Sequence, residues 1–302
     1  MKRALIVLSL TLLITHLTLS FLDKSEYAME KQLWHIQKQF NEIARDPAAA
    51  PTQAFDNVSQ QYQKVVAKYP HAKLTPDVYL QIGRVYFLKK DYEQARSFYL
   101  KIPQLFPEEK ISVAKALFQS GLSYETEGKA EGALQVYQEI VKNYPLTDTG
   151  LNMPYYIAKY HDRLGHREAT KTAFREAVAF YKKTIRDNEQ SPLAFNAMRV
   201  LASIYLDQKE YETAVQLLGD ILIEYPDLTF SNPQRADLIM KSINTVSAIQ
   251  LKDYDLPINI YEKFLKKHPD HPFASYLTKT IESLKLLKEK NIKVDKTPAA
   301  AP

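Results

Sequence analysis

The chain has 302 residues, 45% of them hydrophobic and 25% charged, and a formal net charge of +5. It holds no cysteine, which excludes disulfides, thiolate metal sites, cysteine nucleophiles and a cysteine-linked lipid anchor. The charge is too small to argue for nucleic acid, and 7 glycines beside 20 tyrosines favour helices over strands with glycine-rich turns.

Lys2 and Arg3 precede the apolar run ALIVLSLTLLITHLTLSFL, Ala4 to Leu22, and polar residues follow from Asp23. A basic end before an apolar stretch is the pattern of an export signal, with Thr18 and Ser20 as the small residues before a cut at Phe21. The run also just reaches bilayer-spanning length, so residues 1–22 read as either a signal peptide or an uncleaved N-terminal membrane anchor. Either way the basic end stays inside and the rest of the chain is expected outside the cytoplasm.

Residues 23–70 read as a helix pair. Met29, Leu33, Ile36, Phe40 and Ile43 form a stripe at helical spacing, with Trp34 beside it. After the loop DPAAAP (46–51), a second helix carries Tyr62 and ends at Pro70.

Residues 71–272 repeat. Gly83, Tyr86, Ala95, Tyr99 and Pro107 sit at offsets 0, 3, 12, 16 and 24, and the same offsets give Gly121, Tyr124, Ala133, Tyr137 and Pro145. They recur as Ala202, Tyr205, Ala214, Leu218 and Pro226, and more loosely as Thr245, Ala248, Pro257, Tyr261 and Pro269. A small residue at offset 0 lets two helices approach, and the tyrosine three residues on lies on the same face. A turn falls near offsets 6–8, at KKD, EGK and DQK. The proline stops the second helix, because it lacks an amide proton and clashes with the preceding turn. Each unit is thus a helix hairpin that needs its neighbours to bury its apolar faces.

About five units result, the third degenerate. In that one Ala158, Tyr160, Gly165 and Ala169 suggest a turn one residue shorter and a long second helix, with Pro154 expected where the first helix begins. Pro257 is expected in the first turn of its helix, and Pro103 predicts a kink or an early end after Tyr99. Residues 273–292 read as an amphipathic capping helix through Phe273, Leu277, Ile281, Leu284 and Leu287, and 293–302 as a disordered tail.

This pattern resembles the tetratricopeptide repeat. The resemblance implies an all-α fold, a right-handed superhelical solenoid of antiparallel helix hairpins. The second-helix endings VVAKYP, EIVKNYP and LIEYP are similar to those of exported bacterial cell-envelope repeat proteins. Examples are the outer-membrane assembly lipoprotein, whose anchoring cysteine is missing here, and the periplasmic division coordinator. By the family register the inward positions of the first helices are Leu80, Arg84 and Phe87, then Phe118 and Glu125, then Asn196, Arg199 and Asp207, with Tyr155 as the nearest equivalent in the degenerate unit. Aromatics with both charge signs suit an extended peptide or a partner helix. The lysine and asparagine carboxylate clamp of some chaperone-binding members is absent.

No catalytic constellation emerges. His161 and His166 are five apart, off the spacing that puts two ligands on one helix face, and HPDHP (268–272) reads as a repeat-ending loop. Glu108 and Glu109 lie next to a helix start, where negative charge favours the helix dipole. Lys263 to Lys296 holds nine lysines and four acids, a solvated helix face or a weak contact for an anionic surface, without the arginines and aromatics of a nucleic-acid site. The expectation is a non-enzymatic protein–protein interaction scaffold of the bacterial envelope, with no cofactor, no metal and no nucleic acid. It would dock a segment of another envelope protein in its concave groove. The alternatives are an envelope enzyme with a noncontiguous site, for example one acting on peptidoglycan, and a self-associating structural component.

Overall fold

The structure, a computed structural model, describes residues 25–295. The expected signal or anchor, 1–22, and most of the expected tail lie outside the described residues. No helix among the described residues is long and apolar enough to cross a membrane.

The architecture is all helical. The described residues fall into two compact units, divided between Gly150 and Leu151. In the first, α1 (Glu26–Arg45) pairs with α2 (Thr52–Lys68), α3 (Thr75–Leu88) with α4 (Tyr92–Tyr99) and the short α5 (Lys101–Leu105), and α6 (Lys110–Thr126) with α7 (Ala130–Asn143). In the second, α8 (Asp148–Arg163) pairs with α9 (Arg167–Asp187) and α10 (Pro192–Asp207) with α11 (Tyr211–Glu224). The short α12 (Pro226–Phe230) leads to α13 (Pro233–Thr245), which runs on through a π-helical stretch at Val246–Leu251. Then come α14 (Asp255–Lys267) and α15 (Ala274–Asp295).

The offset-0 glycines are notches. A Cβ on Gly83 would stand 2.2 Å from a ring carbon of Tyr99, and one on Gly121 2.3 Å from the matching carbon of Tyr137. Both tyrosines, at offset 16, are fully buried, as is Tyr261 at the same offset. Tyr86 at offset 3 is only half-buried and stacks on Phe98 at 5.3 Å.

The turn repeats more faithfully than its residues. Offset 7 is left-handed in five hairpins, at Lys90, Gly128, Gly165, Lys209 and Lys252. In the first four the next amide donates back to the offset-3 carbonyl: Asp91 to Tyr86, Lys129 to Tyr124, His166 to His161 and Glu210 to Tyr205. This closes the first helix with the bond pattern of a left-handed C-terminal cap. In the fifth, the π-helical stretch moves the acceptor back to Ser247. Counted from Ala158, the degenerate unit therefore has a turn of ordinary length. The expected shortening is a correction, and the long second helix is present as α9.

Second helices end alike. Tyr69, Phe106, Tyr144, Tyr225 and His268 each donate to the carbonyl four residues back, and a proline follows each. Pro103 breaks its helix as anticipated, with α4 ending at Tyr99 and α5 starting at Lys101. Pro257 sits in the first turn of α14. Pro154 does not begin its helix but lies inside α8. The start is set instead by the Thr147 hydroxyl, which accepts from Gly150 N at 3.0 Å, with Asp148 in the first turn. α15 runs to Asp295, beyond the expected 292.

Candidate functional site

With the backbone groups of the first helices spent on their own hydrogen bonds, recognition there falls to side chains. In the first unit Leu80, Arg84 and Phe87 lie on α3, and Phe118 and Glu125 on α6. Arg84 is exposed, its guanidinium 5.3 Å from the centre of the Phe40 ring. Leu80 and Phe87 are half-buried, Phe87 edge-on to Tyr92 at 5.5 Å. Phe118 and Glu125 are tied to their own hairpin. Phe118 packs on Tyr137 at 6.0 Å, and Glu125 Oε2 accepts from the Tyr137 hydroxyl at 2.8 Å.

In the second unit the structure brings Tyr155 and Asp207 together. The Tyr155 hydroxyl and Lys159 Nζ both donate to Asp207 Oδ2, each at 2.7 Å. Burial pushes the Asp207 carboxyl up but is outweighed by these hydrogen bonds and the Lys159 charge, which leave it below its ordinary value. The same contact, added to burial, raises the Tyr155 phenol. Asn196 and Arg199 are neighbours, Arg199 Nη1 donating to Asn196 Oδ1 at 3.4 Å. Arg199 lies over the Phe195 ring at 5.7 Å and Arg235 over the same ring at 5.4 Å. Burial, then the Arg235 charge, lowers the Arg199 pKa. No carboxylate lies within 4.0 Å of Arg84, Arg199 or Arg235 among the described residues.

Lys159 and Arg235 were not anticipated. Lys159 stands one residue after Ala158, as Arg84 does after Gly83, so the register itself contained that signal. Arg235 sits in the first turn of α13, where no repeat position marks it.

His161, His166, His268 and His271 make contacts within their own units. His268 Nε2 meets Ile223 O at 2.7 Å, and His271 packs between Phe230 at 4.9 Å and Phe264 at 5.3 Å. His161 is held below its usual pKa by burial and by His166, whose ring is 5.9 Å away. Among the described residues no three His, Asp or Glu side chains converge as a metal site would require. Several lysines of the basic C-terminal stretch are paired: Lys267 with Glu224, Lys285 with Glu262 and Lys288 with Asp255.

Helix hairpins with a small-residue notch, a buried aromatic opposite it and a proline stop form an all-helical repeat like that of tetratricopeptide repeats. The chain carries tetratricopeptide repeats: residues 77–108 and 115–147 match one tetratricopeptide-repeat family model, and 163–228 match a second. No curated protein matches the chain. Among solved structures it is similar to BtubC from P. vanneervenii, with 12% identity over 91% of this chain and 93% of that one and a TM-score of 0.41. It is similar also to the TPR2AB domain of yeast Sti1, solved as a complex with pHSP90, at 15% identity, 86% and 98% coverage and a TM-score of 0.33. A third is YrrB, described as a TPR protein with an unusual peptide-binding site, at 14% identity, 73% and 99% coverage and a TM-score of 0.31.

Proposed function

We propose that this chain is a non-enzymatic interaction scaffold, exported to the bacterial cell envelope, whose first-helix faces dock a segment of another envelope protein. Tetratricopeptide-repeat domains are generally protein-interaction scaffolds. The envelope assignment rests on the N-terminal sequence pattern, Lys2 and Arg3 before the apolar run from Ala4 to Leu22.

The observation that carries the docking assignment is the state of the arginines. Arg84 and Arg199 are exposed and each is seated on an aromatic ring. Neither has a carboxylate within 4.0 Å among the described residues. A guanidinium already placed by a neighbouring ring loses less freedom when it pairs with an incoming carboxylate. Leu80 and Phe87 supply apolar contact beside Arg84, and Asn196 a polar one beside Arg199. Phe118, Glu125, Tyr155 and Asp207 shape the surface while holding their own helices in place. The test is the double variant Arg84→Glu, Arg199→Glu in native envelopes, read by crosslinking and mass spectrometry. Loss of one specific partner supports the assignment, and an unchanged partner set refutes it.

A further inference from the structure

The first three helices line an open cavity of about 330 Å³. That is the lower end of the ~300–1,000 Å³ typical of ligand pockets, room for one long side chain. Its floor is apolar, made by Leu33 of α1, Tyr62 of α2, Leu74, and Val78 of α3. Its charged groups are of one sign. Glu30 and Asp77 are exposed carboxylates on its lining, and neither has a basic side chain within 4.0 Å among the described residues. The Oε1 of Gln81, also on the lining, is buried and accepts no hydrogen bond. The remaining amide, Gln37, is already engaged, its Oε1 accepting from the Tyr62 hydroxyl at 3.1 Å and its Nε2 donating to Asn41 at 2.8 Å. Trp34 completes the wall and is 63% exposed, although it lies between the buried Met29 and Phe40 on the same helix.

We propose that this cavity takes a basic side chain, arginine or lysine, from a partner segment. The apolar floor matches the alkyl stem of such a residue, and the acceptors match its donors. The exposed indole face offers the charged head a cation–π contact, strongest for a ring of this type. An acidic side chain would meet two carboxylates there, and an aliphatic one would leave both without a counter-charge. Arg84 stands one turn beyond Gln81 on α3, over Phe40 and off the lining, so the favourable place for the head is the side of Glu30 and Asp77. This deepens the scaffold reading and rests on it for its biological setting. It differs from the arginine positions in chemistry, since those call for an acidic group and this cavity for a basic one.

The molecule carries its own reporter, because Trp34 is the single tryptophan of the chain. The test is a fluorescence titration of the full chain with three capped pentapeptides, Gly-Leu-X-Leu-Gly, where X is arginine, citrulline or glutamate. Citrulline keeps the shape and removes the charge. The expected result is a saturable change in Trp34 emission with the arginine peptide, ~10-fold weaker apparent affinity with citrulline and no response to glutamate. In the double variant Glu30→Gln, Asp77→Asn, both residues being at the surface, the arginine and citrulline peptides become equal. Equal responses to all three peptides, or an arginine preference that survives the double variant, would overturn the proposal. No response to any peptide would overturn it as well. A failed titration beside an intact partner crosslink through Arg84 and Arg199 refutes the cavity alone. A successful titration beside an unchanged partner set refutes the docking assignment and leaves the cavity standing.

Discussion

Gly83→Ala and Gly121→Ala test the packing logic most sharply, because helix propensity and packing pull in opposite directions. Replacing an interior helical glycine by alanine favours the helix by ~1 kcal/mol. At Gly83, however, the new Cβ would stand 2.2 Å from a Tyr99 ring carbon, where normal contact is ~3.5–4 Å. The ring has to move by more than an ångström, and Tyr99 is only 1% exposed, with the α3–α4 interface around it. Overpacking costs ~1–3 kcal/mol, and a contact this short belongs in the upper part of that range, so packing wins and the net loss is ~1–2 kcal/mol. Gly121→Ala, with its Cβ at 2.3 Å from Tyr137, behaves alike. Gly132→Ala is the control in the same hairpin as Gly121. Its Cβ meets Tyr124 at 3.1 Å, and that ring is only half-buried and can yield. The expected effect there lies between neutral and a gain of ~0.5 kcal/mol. Urea denaturation followed by far-ultraviolet circular dichroism reads all three. The reasoning is refuted if Gly83→Ala and Gly121→Ala match or exceed the parent chain in midpoint.

Other outcomes follow from single contacts. Tyr99→Phe removes a buried hydroxyl that has no hydrogen-bond partner and should be neutral or stabilising by up to ~1 kcal/mol in the same denaturation assay. Tyr181→Phe loses a 2.6 Å bond to Leu151 O and should cost ~0.5–1.5 kcal/mol. Lys209→Gly relieves a side chain at φ 62° and should raise the thermal midpoint, the gain being ~1 kcal/mol. The Asp207 carboxyl lies below its ordinary value in the folded chain, so its contribution is present above the unfolded value of about 3.9 and is lost as pH falls through the folded one. Asp207→Asn should therefore lower stability by ~0.5 kcal/mol at neutral pH, the pair being partly exposed, and the difference should vanish in strong acid. A difference that persists unchanged at low pH would contradict this assignment.

Much of the hairpin architecture was legible because a few residue types mark it. Gly83 and Gly121 are notches only if a large side chain sits opposite, and Tyr99 and Tyr137 stand at the offset that supplies one. The left-handed turn was harder to read, since three of its five positions hold lysine, which has no intrinsic preference for positive φ. Pro154 was misplaced because proline was read as a helix start while the capping group, Thr147, lay seven residues upstream. In the degenerate unit His161 stands where tyrosine was expected, yet its carbonyl still closes the turn, because that bond needs backbone alone. The candidate groove residues could be placed on first helices by register. Which of them are exposed, which hold their own hairpin, as Glu125 does, and which tie to the preceding one, as Asp207 does, depends on side-chain reach that spacing does not encode. The cavity beneath Trp34 draws on three helices, two of which precede the repeat register, so no offset pattern pointed to it.

The central claim is that the first-helix faces are where another protein binds. Site-specific photo-crosslinking in living cells tests it directly, with the reactive amino acid placed at position 84 or 199, and at the exposed position 142 of a second helix as control. The account predicts one shared partner adduct from positions 84 and 199 and none from 142. Adducts from 142 alone, or the same adducts from all three positions, would contradict it.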